Sequence, residues 1–332
     1  MMGELVTIIV PVYNGAAFLP DSVGSVYAQD YSPIELILIN DGSEDESLSV
    51  LQDLAGKAPE GVSVRIIDQE NEGICAARNR GLEAATGAYI AFLDQDDSLP
   101  KSYVSTLVGH MGEDDQIVIG GTVDNRVDEN RRSDRDLDPD SEWSMYRNTA
   151  PWGRIYRKDI IDDNGIRFEK VKISEDLYFN FLYLSCCQKG KVKIIPQSGY
   201  EWAIRGESES HANMSRIQKD RDVTSVLSKL IRNMKKIDNE SALREDLFEY
   251  MVIKHIVWYL LFVSKGASGS EIEQVYRDCM DWLKTSFPDY RRNSQLKLGK
   301  PVGEKWKIRF IVRSAVRMDK MGILLPFLKL RA

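Results

Sequence analysis

Apolar runs and polar breaks alternate regularly along the first hundred residues. Residues 5–10, 35–39, 62–67 and 88–93 are short and mostly apolar, which predicts strands buried on both faces. Between them, residues 16–29, 44–55 and 74–85 are helix-like, and Gly87 ends the third. Pro11 reads as the stop of the first strand. Strand and helix follow one another through short connections, so the pattern predicts an α/β, doubly wound, mostly parallel sheet with helices on both faces.

The later part of the chain reads differently. A helix over 101–111 and a short strand over 116–119 precede a densely charged stretch, 126–140, with Pro139 and no apolar period. That stretch predicts a mobile, solvated loop. Two further strands are expected over 191–195 and 200–204, then a polar loop over 206–211. Beyond about residue 215, Val223, Val226, Leu227 and Leu230 recur at helical spacing, as do Leu247 to Leu261 and residues 272–287. The expected division is 1–212, with halves 1–100 and 101–212, followed by a helical C-terminal part, 213–332.

Composition narrows the class. The 332 residues are 43% hydrophobic and 29% charged, as in a globular protein, and a net charge of −7 argues against nucleic-acid binding. Four cysteines without a CxxC pair suit reduced thiols in a cytoplasmic protein. The N-terminal apolar run is too short for a signal peptide, and the longest run, 256–263, is too short to span a bilayer. Residues 306–318 interleave apolar positions with Lys and Arg. Such a helix can lie on the inner face of a membrane, cover the acidic domain or make a homodimer contact.

Candidate chemistry gathers at the ends of the strands. The run 88–93 passes straight into Asp94-Gln95-Asp96-Asp97. Clustered carboxylates repel one another, and Mg²⁺ or Mn²⁺ shared with phosphate is the usual compensation. The plainer reading is a helix cap, with Asp97 or Ser98 as N-cap and Pro100 in the first turn. After the first strand stands Pro11-Val12-Tyr13-Asn14-Gly15, neither GxGxxG nor a Walker A sequence. That loop excludes a dehydrogenase, although Asp41 stands where an NAD-binding acid would. Tyr13 instead offers a ring for base stacking, and Asp41 an acceptor for a ring N–H such as that of uracil. Arg78 can reach a phosphate or orient the acidic cluster; Arg80 reads as solvent-facing. Ser174-Glu175-Asp176 is either a cap with acids in the first turn or the source of a catalytic base.

Four segments taken together resemble the ordered motifs of the family 2 glycosyltransferases: residues 10–14, 39–43, 71–79 and 92–97. That resemblance implies a GT-A fold and inverting transfer from a nucleotide-diphosphate sugar. It implies that Asp94 and Asp96 form a DxD pair, with Asp96 the main ligand of Mn²⁺ or Mg²⁺ and Asp94 on ribose or metal. Pro11, Tyr13, Asp41 and Arg78 would complete the nucleotide site. Asp176 would be the base, with Glu175 as neighbour or substitute. Trp152 would border the acceptor cleft, and His211 would complete the metal shell from a flexible loop that also holds Arg205. The expected donor is a UDP-sugar, and the acceptor a saccharide or lipid-linked saccharide of a bacterial surface polymer. The alternative is a non-catalytic nucleotide-sugar binder. A dehalogenase-type phosphatase is disfavoured because Asp97-Ser98 replace its Gly-Thr, and a calcium loop because the central Gly and terminal Glu are missing.

Overall fold

A computed structural model describes residues 3–171, 173–205, 222–237 and 241–331. The strands are β1 (Val6–Val12), β2 (Ile34–Asp41), β3 (Val62–Gln69), β4 (Tyr89–Phe92), β5 (Ile117–Arg126), β6 (Arg131–Arg135), β7 (Arg154–Arg157) and β8 (Val192–Ile204). Among the helices, α1 (Leu19–Tyr27), α2 (Ser47–Ala55), α3 (Ile74–Ala84) and α4 (Tyr103–Gly109) belong to the first third. They are followed by α5 (Ser144–Arg147), α6 (Lys158–Asp163) and α7 (Glu175–Cys186). The C-terminal helices are α8 (Val223–Met234), α9 (Glu245–Val263), α10 (Gly269–Ser286), α11 (Trp306–Lys320) and α12 (Leu324–Arg331).

The strands form one mixed sheet in the order β3-β2-β1-β4-β7-β5-β6, with β8 paired to β5. The β1–β2, β2–β3, β1–β4 and β5–β8 pairs are parallel; β4–β7, β5–β6 and β5–β7 are antiparallel. Every residue of β1 and β2 is buried, as central parallel strands require. The first strand runs past its expected stop. Pro11 pairs with Ile39 on the β2 side, while the β4 register ends at Ile9 opposite Phe92. The Ile9 carbonyl accepts from Leu93 N at 3.1 Å, and the β4 pairing stops there, since Pro11 on that side has no N–H to continue it.

Residues 126–140 are not the loop their composition suggests. Arg131–Arg135 pairs antiparallel with the outer half of β5, and all five residues are exposed. A strand polar on both faces carries no hydrophobic period to read. The two expected strands over 191–204 are one, β8, which follows β5 through an irregularity between Gly120 and Thr122. The strand expected over 116–119 extends to Arg126.

One face of the sheet packs on α1, α2 and α4 through Val6, Ile8, Val10, Leu36 and Leu38. On the other, Gly81 of α3 lies so close that a Cβ there would meet Ile9 Cγ2 at 2.4 Å. This second core runs without a break into the C-terminal helices, through Phe179, Leu227, Ile253, Leu283 and Val316. Among the described residues, no helix is long and apolar enough to cross a membrane. All four cysteines are buried thiols outside any disulfide.

Candidate active site

The loops after β1, β2 and β4 meet at the C-terminal edge of the parallel strands, where α/β sheets bind ligands. Asn14 adopts φ 50°, which an Asn side chain tolerates well. Its Oδ1 accepts from Glu44 N at 2.8 Å, and its own N–H donates to Ser43 Oγ at 3.0 Å. Gln95, the middle residue of the Asp-x-Asp, brackets Tyr13. The Tyr13 N–H donates to Gln95 Oε1 at 2.9 Å, and Gln95 Nε2 returns a bond to the Tyr13 carbonyl at 3.0 Å. The Tyr13 side chain is left 40% exposed at the mouth of the site.

Asp41 is buried and engaged with its neighbouring loop. Its Oδ1 accepts from Gln69 Nε2 and Glu72 N at 2.8 and 2.9 Å, and its Oδ2 from Gly73 N at 2.8 Å. Gly73 takes φ 88°, which favours glycine. The carboxylate thus fixes the turn into α3, a role its position in the sequence did not announce.

From the first turns of α3, Arg78 reaches under the site. Its guanidinium is 2% exposed; Nη2 donates to Asp94 Oδ1 at 2.9 Å and Nη1 to Asp176 Oδ1 at 2.6 Å. It also lies over the Phe168 ring, 5.1 Å from the centroid. Asn79, next along, holds Phe168 in place by exchanging two 2.8 Å bonds with its backbone. Arg80 is exposed and pairs with Glu83 on its own helix, as expected.

The acidic cluster divides into two roles. Asp97 caps no helix: it is buried, and α4 begins only at Tyr103. Its Oδ2 accepts from Tyr200 Oη at 2.6 Å and its Oδ1 from Ala203 N at 2.7 Å, which ties the loop after β4 to β8. Burial, then the charges of Asp94 and Asp96, push its carboxyl well above the usual range. Asp94 and Asp96 remain about 27% and 33% exposed, toward the opening. Burial and the nearby Asp94 raise the Asp96 carboxyl, although Arg205 Nη1 stands 3.2 Å from its Oδ2.

Trp152, expected beside the acceptor cleft, is 6% exposed. Its ring is buried and stacked on Tyr200, with centroids 4.7 Å apart and planes 3° from parallel. Its Nε1 donates to Asp94 Oδ2 at 3.2 Å, so the residue supports the acidic cluster from behind.

Asp176 lies in the first turn of α7 beside Glu175. Burial raises its carboxyl to about 7; Arg78 opposes the rise, and Glu175 and Asp94 add to it. Ser174 stands at the N-cap position but does not cap. It sits at φ 67°, and its Oγ is 2.8 Å from His255 Nε2 of α9. Burial and the neighbouring Lys254 lower the His255 imidazole to about 4. Neither His255 nor the Asp97–Tyr200 pair was marked by the sequence, since each bond joins residues far apart in the chain.

Among the described residues, no group of three or more His, Cys, Asp or Glu could hold a metal ion on its own. His211, expected in a metal shell, lies outside the described residues. The donor set nevertheless suits a hard cation. Asp96 offers a carboxylate whose charge is disfavoured by burial and by Asp94, and a cation shared with phosphate oxygens relieves both effects.

Comparison with known proteins assigns the chain. The sequence model of glycosyl transferase family 2 matches residues 7–178. The chain is 30% identical over 230 residues to the glycosyltransferase GlyA of Streptococcus pneumoniae, covering 63% of this chain and 32% of that protein. It is 29% identical over 269 residues to the minor teichoic acid biosynthesis protein GgaB of Bacillus subtilis, covering 77% of this chain and 29% of that one. The chain thus spans about a third of the length of these two relatives. In fold it is similar to residues 1–349 of S. aureus TarS, solved in complex with UDP-GlcNAc. The TM-score is 0.69 at 17% identity, over 97% of this chain and 92% of that one. The family match covers just over half of the chain, including the Asp-x-Asp, Arg78 and Asp176, and the chain belongs to glycosyl transferase family 2.

Proposed function

We propose that the chain transfers a sugar, with inversion, from a nucleotide-diphosphate donor to the hydroxyl of a saccharide or lipid-linked saccharide, in the assembly of a bacterial surface polymer. The observation that carries this reading is Arg78, which holds Asp94 at 2.9 Å and Asp176 at 2.6 Å with one buried guanidinium. One carboxylate faces the donor side and the other is suited to accept a proton, so the arrangement couples the two halves of a displacement. We further propose a catalytic part, 1–212, comprising 1–100 for the nucleotide and 101–212 for the acceptor, and a helical part, 213–332.

In this reading the donor is a UDP-sugar. Its base lies against the exposed Tyr13 ring beside Pro11, with Asp41 accepting a ring N–H through a remaining lone pair. Asp96, assisted by Asp94, would hold Mn²⁺ or Mg²⁺ against the diphosphate. A cation bound there would offset charge on the departing nucleoside diphosphate. Asp176 takes the proton of the acceptor hydroxyl as that oxygen forms its bond to the anomeric carbon. The bond from that carbon to the phosphate oxygen breaks on the opposite face, and its electron pair leaves with the diphosphate. A carboxyl raised to about 7 is ionised in a large fraction near neutral pH and is still basic enough to take a proton. Burial raises that carboxyl most, and the Glu175 charge adds to the rise.

The test is transfer and donor binding in Asp176→Asn. Retained binding of UDP and UDP-sugars with transfer lost supports the enzyme. Turnover unchanged in that variant refutes this assignment of the base. Donor binding without turnover in the unaltered protein, across a panel of saccharide acceptors, means a nucleotide-sugar binder instead.

A further inference from the structure

The C-terminal helix α11 exposes a face that the folded core leaves uncovered. Trp306, Phe310, Arg313, Arg317, Lys320 and Met321 recur at spacings of three and four residues, which places them on one side of a helix. Trp306, Phe310 and Met321 are 66%, 65% and 62% exposed. Leu298 and Val302, just before the helix, are exposed too. Large apolar side chains gathered this densely at one end of a molecule mark an interaction surface.

The charges around them are sorted by sign. Residues 297–331 hold ten Lys or Arg and only Glu304 and Asp319 as carboxylates. Both carboxylates are turned inward. Glu304 is buried against Lys254 Nζ at 3.0 Å and Trp143 Nε1 at 3.2 Å. Asp319 is buried under the hydroxyls of Tyr276 and Tyr290 and the guanidinium of Arg291, at 2.7, 2.6 and 2.6 Å. Of the segment's own residues, the outward side therefore carries cations and apolar side chains without a carboxylate, in a chain whose net charge is −7. Among the described residues, Lys329 alone of these cations is paired with a carboxylate of α10, Glu273, at 2.6 Å.

We infer that this face docks on an anionic phospholipid surface, with the Trp306 and Phe310 rings at the headgroup–acyl boundary and Arg313, Arg317 and Lys320 against lipid phosphates. Exposed aromatic rings enter the headgroup–acyl boundary and neighbouring cations pair with lipid phosphates, so this face suits an anionic bilayer surface. Each Lys or Arg near such a surface strengthens binding about fivefold, and aromatic burial adds to it. The surface lies outside the transfer site, and the inference does not depend on which donor or acceptor that site takes.

Flotation of the full chain with vesicles tests it. We expect binding to vesicles of equal parts phosphatidylcholine and phosphatidylglycerol, weakened by salt, and little binding to phosphatidylcholine alone. The Trp306→Ser/Phe310→Ser double variant and the Arg317→Gln/Lys320→Gln double variant should each lose roughly tenfold or more in vesicle affinity. Both should keep the thermal unfolding midpoint and UDP binding of the parent, since the altered side chains lie on the surface. Several results overturn the inference: no flotation with either vesicle, or equal flotation of parent and variants. A dimer that Trp306→Ser/Phe310→Ser dissociates without any vesicle binding makes the face a contact between copies, and salt-sensitive RNA binding without lipid binding makes it a nucleic-acid surface.

Discussion

Arg78 Nη1 and Asp176 Oδ1 meet at 2.6 Å although 98 positions separate them in the chain. The same guanidinium holds Asp94, so one buried cation balances two carboxylates, one from the loop after β4 and one from the first turn of α7. Breaking such a pair leaves charge without compensation. Arg78→Ala should cost about 3–5 kcal/mol in urea unfolding and abolish transfer. Arg78→Lys keeps the charge but loses the planar fork, so it should bind one carboxylate at a time and recover stability better than activity. Equal losses of stability in the two variants would contradict the forked bridge.

The Asp176 carboxyl predicts the acid limb of the pH profile. A base must be ionised to act, so kcat/KM should fall as pH drops through about 7. Because the Glu175 charge helps raise that pKa, Glu175→Gln should move the midpoint to lower pH while leaving the plateau within a few-fold. Asp176→Asn should lower the plateau by roughly 10²–10⁴. A midpoint that stays in place in Glu175→Gln would assign the limb to another group.

Asp96 supplies the test for the cation. Calorimetry with UDP should give binding that depends on Mn²⁺ or Mg²⁺ and is lost with EDTA. Asp96→Ala should remove the metal dependence. Asp97→Ala should instead act on stability, by about 1–3 kcal/mol, because it strips acceptors from Tyr200 and Ala203 N. Metal-dependent binding that survives Asp96→Ala unchanged would refute the proposed ligand.

These contrasts show what the sequence could reveal. The parallel half was legible because β1 and the middle of β2, residues 36–39, are almost wholly apolar, and α1 and α2 separate the strands with helical spacing. The acidic cluster was legible because three carboxylates at a strand end have few bland explanations. The antiparallel insertion was not. β6 is charged on both faces, and β7 is four residues holding two arginines, so neither carries a periodic signal. Within the cluster, nothing local tells Asp97 from Asp96; the difference is Tyr200, which arrives from β8 across the fold. Trp152 was ambiguous for a similar reason, since aromatic surface serves a sugar or a core equally well, and its stacking partner Tyr200 arrives from β8.

The join between Ser174 and His255 places the helical part in direct contact with the turn that presents Asp176. At φ 67° a serine pays roughly 1–2 kcal/mol that a glycine would not. The hydroxyl bond to the neutral imidazole returns about 1 kcal/mol. Ser174→Gly removes both terms, so its stability should stay within about 1 kcal/mol of the parent. Ser174→Val keeps the strain, loses the bond and should unfold far more readily. The imidazole also sets a pH dependence. His255 is held near 4 when folded and returns to about 6.5 when unfolded, so between those values the unfolded chain binds the extra proton. Its contribution to stability is therefore complete above about 6.5 and declines as pH falls toward 4, by up to about 1.4 kcal/mol per pH unit. Raised carboxyls such as Asp176 work in the opposite sense, so the comparison to make is the parent against His255→Leu. The difference in unfolding free energy between the two should shrink across that window, and a constant difference would show that His255 does not titrate on unfolding.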